Sequence, residues 1–352
     1  MMKENAQMNH TLPRTLIETL VRKAIHELPK APKRCMRNLV DMALNFSDGR
    51  MQNRFFTKIQ QLLRNSNSSY YELIPDVAAA VDTDRILTFA LNVGYNSCTV
   101  GVKQIRDVEQ KQHFSVPWSI SLAISGSAYA RQEEQYHALI RQGVALGVYA
   151  WMLYAQDDPV CALKLAAGHP ECAFVLHCRP VQVDADLLEA ALPVSNLMFA
   201  VQHTDGVEEA CRLLRAQRFL YAVYHIYEDA QVDAILSGAL LRDTASLHPA
   251  FTVFLAGKNC SHQARQAVHR YVSRMRDSQK CPTILWDTVG DSCLVDHVIS
   301  KSFCLSGFDA QGYLYTLRGS GGRLERLEYN IFRQPLIDIL SGVFPKALPA
   351  TI

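Results

Sequence analysis

The sequence lacks the cysteine pattern, the long apolar run and the charge bias that would assign it to several large classes of protein. Its ten cysteines include no C-x-x-C pair, and buried reduced thiols acting as small apolar side chains explain most of them. No apolar stretch reaches ~18 residues without a charge, so no membrane-spanning helix is expected. The chain has 36 Lys and Arg and 34 Asp and Glu, so its net charge is +2. This charge does not suggest a nucleic-acid-binding surface.

Several local signatures of catalysis and targeting are also absent. No G-x-S-x-G elbow appears, and no P-loop or G-x-G-x-x-G follows any apolar run. The first residues, MMKENAQMNHTLPRTL, lack the apolar core of a signal peptide. We therefore expect a cytoplasmic protein without a disulfide framework, with 352 residues available for a full core.

The most informative stretch runs from Val148 to Gly206. It contains three apolar runs, and continuous runs of this length are typical of parallel strands that are covered on both faces. Parallel α/β folds place ligands at the carboxyl ends of successive strands. Each of the three runs ends in a polar cluster at that point: Gln156, Asp157 and Asp158; His177, Cys178 and Arg179; Gln202, His203, Thr204 and Asp205.

Strand-like segments alternate with amphipathic segments through the central part of the chain. This alternation predicts βαβ units, a parallel sheet and a TIM-barrel-like α/β fold, either a full or a partial barrel. Eight segments qualify as strands: 86–97, 118–125, the three runs within 148–206, 219–227, 251–257 and 283–290.

The two ends of the chain have different patterns. Residues 11–80 carry apolar residues at helical spacing, which predicts a helical segment over 1–85 before a barrel over 86–290. After Gly290, GFDAQGYLYTLRGSGGRL predicts a β-hairpin with glycine turns. PLIDILSGVF predicts a closing helix, so 291–352 is expected to form a small extension of hairpin and helix.

Histidines and an aspartate recur at the ends of predicted strands. His177, His203 and His225 each end a strand, and Asp287 lies near the end of the last one. In a barrel, these positions would converge on one mouth, where imidazoles and a carboxylate are good ligands for zinc or a similar divalent ion. The alternative is that each histidine is a hydrogen-bonded structural residue.

From Pro117 onward, the order of segments resembles radical S-adenosylmethionine (SAM) enzymes with a SPASM or twitch-like extension. PWSISLAIS resembles their first barrel strand, and GVYAWMLYAQDDPV resembles the strand that ends in Gly-Gly-Glu-Pro. FVLHCRPVQVD and NLMFAVQHTDG resemble the next two motif-bearing strands, and CLSGFDAQGYLYTL resembles the hairpin of the extension. The resemblance covers about two thirds of the chain. It implies that Gln156, Asp157, Asp158, Arg179 and Gln202 lie where the family binds its cofactor.

This sequence lacks the residues that define that family at the matching positions. Its [4Fe–4S] cluster needs the thiolates of C-x-x-x-C-x-x-C after the first strand, but the corresponding segment here, GSAYARQEEQ, contains no cysteine. Gln156 and Asp157 replace two glycines that would let a cofactor approach the backbone, and Arg179 and Gln202 also depart from the family motifs. No [4Fe–4S] cluster is therefore expected.

Three functional hypotheses follow. The first is a radical SAM-like protein without redox chemistry, which serves as a binding scaffold or accessory for an active enzyme or a peptide, in peptide or natural-product modification. The second is an enzyme that uses His177, His203, His225 and Asp287 around a divalent metal. The third is an ordinary barrel enzyme with only the fold in common. SAM and a divalent metal both stay open as ligands.

Overall fold

Ten strands form one sheet in the computed structural model of this chain, which describes residues 2–45, 50–318 and 323–347. Neighbouring strands follow the order β10-β9-β8-β1-β2-β3-β4-β5-β6-β7. The strands are β1 (Ser119–Ile124), β2 (Ala150–Ala155), β3 (Ala173–Cys178), β4 (Leu197–Gln202), β5 (Tyr221–Tyr227), β6 (Phe251–Ala256), β7 (Ile284–Asp287), β8 (Ser306–Phe308), β9 (Tyr313–Arg318) and β10 (Arg323–Asn330).

The sheet is a partial barrel. Strands β1 to β7 are all parallel and are neighbours in chain order, and β8 adds in parallel on the other side of β1. Strands β7 and β10 stand at the two ends of the strand order and do not pair with each other, so the barrel is open. The predicted α/β, TIM-barrel-like fold is therefore confirmed, in its partial form.

Helices precede the sheet and cover its outer face. Among the described residues, no helix is long and apolar enough to cross a membrane. A π-helix spans Asn92–Gly101, and short 3₁₀ turns span Pro180–Gln182 and Asp229–Gln231. The α-helices are α1 (Met2–Glu27), α2 (Pro32–Asn45), α3 (Arg50–Leu62), α4 (Tyr70–Ala80), α5 (Thr83–Leu91), α6 (Val102–Gln112), α7 (Gly126–Leu146), α8 (Val160–Ala167), α9 (Ala185–Ala191), α10 (Val207–Ala216), α11 (Val232–Leu236), α12 (Ala239–Ala245), α13 (His262–Ser278), α14 (Thr288–Ser300) and α15 (Leu336–Val343).

The two faces of the sheet carry different side chains because successive residues of a strand point to opposite faces. Ile120, Leu122 and Ile124 of β1 belong to the large core under the helices, together with Trp151 and Leu153 of β2. The alternate positions form a second core on the concave face, which includes Ala200, Ala222 and Tyr224. We call these the helix-covered face and the concave face.

The predicted first strand at 86–97 is wrong, because this segment forms α5 and part of the π-helix. The side chain of Asp82 caps α5 by accepting hydrogen bonds from the backbone N–H groups of Asp84 and Arg85. The helix is apolar on two sides: Leu87 packs with Ile25 of α1, whereas Phe89 packs into the concave core. A helix that is buried on two sides gives a continuous apolar run, which resembles a strand in sequence.

The predicted modules at the two ends are helical and hairpin-like, as expected. Helices α1 to α4 occupy the N-terminal segment, and β9 pairs antiparallel with β8 and β10 before α15 closes the chain. The eighth parallel position is filled by β8 of the extension and not by 86–97. The division into 1–85, 86–290 and 291–352 stays a prediction; both of its boundaries fall inside helices, α5 and α14.

Arg85 fastens the N-terminal helices to the amino-terminal side of the sheet. Its guanidinium donates hydrogen bonds to the carbonyls of Leu192 and Val194, each at 2.7 Å, in the segment that connects α9 to β4. It also stacks on the ring of Phe219 with 4.0 Å from Cζ to the ring centroid. The amino-terminal end of the barrel is therefore closed by α5, which leaves the carboxyl-terminal end for a ligand.

We expect Arg85→Met to destabilise the protein by about 2–4 kcal/mol, because buried carbonyls would lose a charged donor. Arg34→Met is the matched control, since Arg34 is exposed on α2 and should change the free energy of unfolding by less than about 0.5 kcal/mol. Urea denaturation followed by circular dichroism measures both. Equal effects in the two variants would contradict the fastening role.

Candidate functional site

The carboxyl ends of β1 to β4 form the candidate site, which we call the mouth. The register pairs Ile124 of β1 with Ala155 of β2, and Cys178 of β3 with Val201 of β4, so these strands end side by side. The residues that the sequence placed at strand ends lie together here, in the segments that follow β2 and β3 and at the last position of β4: Gln156, Asp157, Asp158, Arg179 and Gln202. Their role in cofactor binding stays a prediction.

The segment after β1 is tied directly to the segment after β2. Oδ1 of Asp157 accepts hydrogen bonds from the backbone N–H groups of Gly126 and Asp158, both at 2.8 Å, and these bonds hold the pKa of its carboxyl below the usual range. The side chain of Ser125 caps α7 by accepting from Ala128 N at 3.2 Å. A Cβ at Gly126 would lie 3.1 Å from Cβ of Asp158. Helix α7 therefore begins immediately after β1, without an intervening loop.

The side chains after β2 and β3 mostly bond to the local backbone. Oδ1 of Asp158 accepts from Val160 N at 2.9 Å and so caps the start of α8. Gln182 accepts from Arg179 N at 2.8 Å through Oε1 and donates to Asp157 O at 3.2 Å through Nε2. The guanidinium of Arg179 lies at the surface, where Nη2 is 3.5 Å from Gln156 O. Arg179 thus places a cation at the rim of the mouth.

Three rings stack on the concave face just inside the mouth. The ring of His177 lies parallel to that of Tyr154 with 4.2 Å between centroids, and the ring of Tyr224 meets His177 edge-on at 5.2 Å. The hydroxyl of Tyr224 lies 3.5 Å from Oε1 of Gln202. His177 is 3% exposed, its Nδ1 has no hydrogen-bond partner among the described residues, and burial lowers the pKa of its imidazole to about 4. His177 is therefore neutral at physiological pH.

His203 and His225 come together at a different place. Their rings stack at 4.4 Å between centroids, and Nε2 of His225 lies 2.7 Å from Oγ1 of Thr244 in α12. Burial, together with the charge of His203, lowers the pKa of His225 to about 3. His225 also stacks on Phe254, which belongs to the core under α13. This pair therefore lies on the helix-covered face.

Asp287 makes its contacts beneath α13. Its Oδ2 lies 3.1 Å from Nδ1 of His269 and accepts from Gly290 N at 3.2 Å, which caps α14. The hydrogen bond with Asp287 raises the pKa of His269, and burial raises the pKa of Asp287. The register pairs Asp287 with Phe254 of β6 and Phe254 with His225 of β5, so all three share the helix-covered face.

The four candidate metal ligands do not converge on one mouth. His177 is in register with Ala200 and Ala222, whereas His225 is three residues beyond Ala222 in the same strand and points to the opposite face. Within the described residues, no group of three or more His, Cys, Asp or Glu side chains could hold a metal ion. The expected convergence on one mouth is therefore wrong, and metal binding by these four residues stays a prediction.

The thiols near the mouth do not suit an iron–sulfur cluster. A cluster needs several thiolates that converge on it. Cys161 donates from Sγ to Asp158 O at 2.8 Å, and Cys178 directs its Sγ toward Ala200 O at 3.7 Å. Burial raises the pKa of both thiols to about 12, so both are protonated. The residues at the mouth therefore do not fit a [4Fe–4S] cluster.

Sequence reasoning places Tyr154 and His177 at strand ends but misses Tyr224 and the stacking of the three rings. Tyr154 and Tyr224 lie inside predicted strands, where aromatic residues are ordinary core residues. The two-residue alternation along a strand could have identified them. Tyr154 is two residues before Gln156 and so shares its face, and Tyr224 is paired in register with Gln202. Placing His177 beside Tyr154 requires the pairing of β2 with β3, which a single sequence does not provide.

No protein-family model matches this chain, and no curated protein matches it. Among solved structures, Streptococcus suis SuiB bound to S-adenosylmethionine aligns at 9% identity over 68% of this chain and 66% of that chain, with a TM-score of 0.48. SuiB bound to the precursor peptide SuiA aligns at 8% identity over 68% and 67%, with a TM-score of 0.49. The anSMEcpe protein with bound AdoMet aligns at 10% identity over 63% and 77%, with a TM-score of 0.39. The fold assignment above depends on the strand order of this chain.

We expect the stability of the protein to fall between about pH 6.5 and pH 4. The pKa of His177 is lowered on folding, so its neutral form stabilises the fold above its ordinary pKa and that contribution is lost as the pH falls. His177→Phe should reduce this loss by on the order of 2–4 kcal/mol while keeping a ring beside Tyr154. Urea denaturation at pH 7 and pH 4.5 measures the difference.

The control for this prediction is His262→Gln, because His262 is exposed at the start of α13. Its acid dependence should match that of the wild type. If His177→Phe shows the same acid dependence as the wild type, His177 is not the buried neutral imidazole described above.

Proposed function

We propose that this chain is a ligand-binding scaffold with a radical SAM-like half-barrel, and that it works without a [4Fe–4S] cluster. The observation that carries the proposal is the junction between Gly126 and Asp157. In the enzymes that this chain resembles, the cysteine loop follows the first strand. Here, the backbone N–H of Gly126 at that point donates a hydrogen bond to the carboxylate of Asp157. A loop there would have to break both this bond and the Ser125 cap of α7.

The mouth offers contacts that suit a flat, largely uncharged ligand. Tyr154 and Gln202 are half-buried at the mouth, whereas His177 and Tyr224 are buried behind them and hold the ring of Tyr154 in place. Tyr154 therefore offers an aromatic surface, and Gln202 adds an amide that can both donate and accept. Because His177 is neutral and buried, it adds no charge to the floor of the mouth. Pockets that bind small molecules combine apolar walls with a few oriented polar groups in this way.

The rim of the mouth adds apolar surface that a protein or peptide could cover. Val181, in the segment between β3 and α9, is 78% exposed, and Ile226, near the end of β5, is 48% exposed. A peptide that lay across the ends of β3 to β5 could bury both side chains. We therefore propose an accessory role in the modification of a peptide or natural product, in which the mouth holds the substrate or a small ligand for an active partner enzyme.

SAM is the first ligand to test, because the segment order resembles that of SAM enzymes. We expect Tyr154→Ala to weaken SAM binding at least tenfold, since stacking of a base on an aromatic ring contributes about 1–3 kcal/mol. Asp158→Ala should leave SAM affinity unchanged, because its carboxylate already caps α8. Isothermal titration calorimetry measures both variants against the wild type.

The stability of Asp158→Ala is measured as well, because it reports the loss of the helix cap separately from any contact of the carboxylate with SAM. Loss of the cap should lower the free energy of unfolding by about 1 kcal/mol. A large loss of SAM affinity in Asp158→Ala, with little loss in Tyr154→Ala, would contradict the proposal. It would mean that a carboxylate at this position holds SAM as the family resemblance implies.

A further inference from the structure

A surface cavity of about 570 Å³ lies between α11 and α13, on the outer side of the helix layer. Val268 and Val272 of α13 pack into the core beneath the helix, so the cavity opens on the opposite side of α13 and is separate from the mouth. It is a shallow, half-open depression, because all of its lining residues except Leu236 come from α13. Six residues line it: Leu236, Ala267, His269, Arg270, Ser273 and Arg274.

Two arginines of this cavity have no partner among the described residues. Arg270 and Arg274 are one helical turn apart, and both are exposed. Neither guanidinium makes a hydrogen bond or an ion pair with another described residue, whereas Arg276 on the same helix makes two bonds of 2.8 Å to Asp291. Like charges at this spacing repel each other on a helix surface. An anion between them would remove that repulsion.

The remaining lining residues make the cavity amphipathic. Leu236 is 37% exposed and lies beside Ala267, so one wall is apolar. Ser273 adds a hydroxyl between the two arginines in sequence. His269 is oriented by its 3.1 Å contact from Nδ1 to Oδ2 of Asp287. A ligand that matches this cavity has an anionic end and an apolar end.

We propose that this cavity binds a phosphate monoester, with the phosphate between Arg270 and Arg274 and the apolar substituent against Leu236 and Ala267. Guanidinium groups match phosphate oxygens through paired hydrogen bonds, and two of them balance the dianion that a phosphate monoester carries near neutral pH. Two neighbouring arginines beside an apolar wall match a small ligand that carries one phosphate group, whereas a nucleic-acid backbone needs cations that track a row of phosphates.

Isothermal titration calorimetry with phenyl phosphate tests this site. The wild-type protein should bind phenyl phosphate saturably with one site per chain, and more tightly than inorganic phosphate because of the apolar wall. The double variant Arg270→Gln/Arg274→Gln should weaken binding at least tenfold, because hydrogen bonds to charged groups are among the stronger polar contacts. Both side chains are exposed, so the thermal midpoint should not change.

The matched control is Arg106→Gln/Arg131→Gln, which removes the same charge from exposed positions on α6 and α7. This control should bind phenyl phosphate within twofold of the wild type. The absence of saturable binding, equal weakening in both double variants, or equal affinity for benzoate would each overturn the proposal. Without saturable binding there is no site. Equal weakening would mean that only the overall charge of the protein attracts the ligand, and equal affinity for benzoate would mean that the phosphate group is not recognised.

Discussion

The two-residue alternation of side chains along parallel strands decides what each face of this sheet can do. In β5, Ala222 and Tyr224 face the concave side, while His225 faces the helices. The same rule places His177 beside Tyr154, because the pairing of β2 with β3 sets them in register. Aromatic rings thus gather at the mouth, whereas His203, His225 and Asp287 lie on the helix-covered face.

A second constraint is that the barrel is open, so the apolar side chains at the amino-terminal end of its concave face must be covered by another element. Helix α5 covers this end: Phe89 packs into the concave core, and Arg85 donates hydrogen bonds to backbone carbonyls before β4. Burying one guanidinium is tolerated because its hydrogen bonds are satisfied by carbonyls and its flat face lies on Phe219. With the amino-terminal end closed by α5, a ligand would reach the concave face at the mouth, where Tyr154 and Gln202 are half-buried.

Much of this fold could be predicted from the sequence, and the failures have physical reasons. The seven strands β1 to β7 are apolar runs buried on both faces, and the Gly-rich hairpin and α15 carry strong local signals. The strand predicted at 86–97 is wrong because α5 is buried against both α1 and the sheet, which makes its sequence apolar on two sides. The strand-end cluster around Asp157 was predicted by position alone. The stacking of His177 on Tyr154 and the separation of His225 depend on register, which periodicity does not encode.

We propose that the junction of Ser125, Gly126 and Asp157 stands where a cluster-binding loop would lie, so that a ligand at the mouth binds to side chains and backbone. Iron and acid-labile sulfide analysis of protein purified without oxygen, combined with its visible absorption spectrum, tests this most directly. We expect neither element in stoichiometric amount and no broad visible band. Stoichiometric iron and sulfide would contradict the account, because thiols described here as buried and protonated would then have to be cluster ligands.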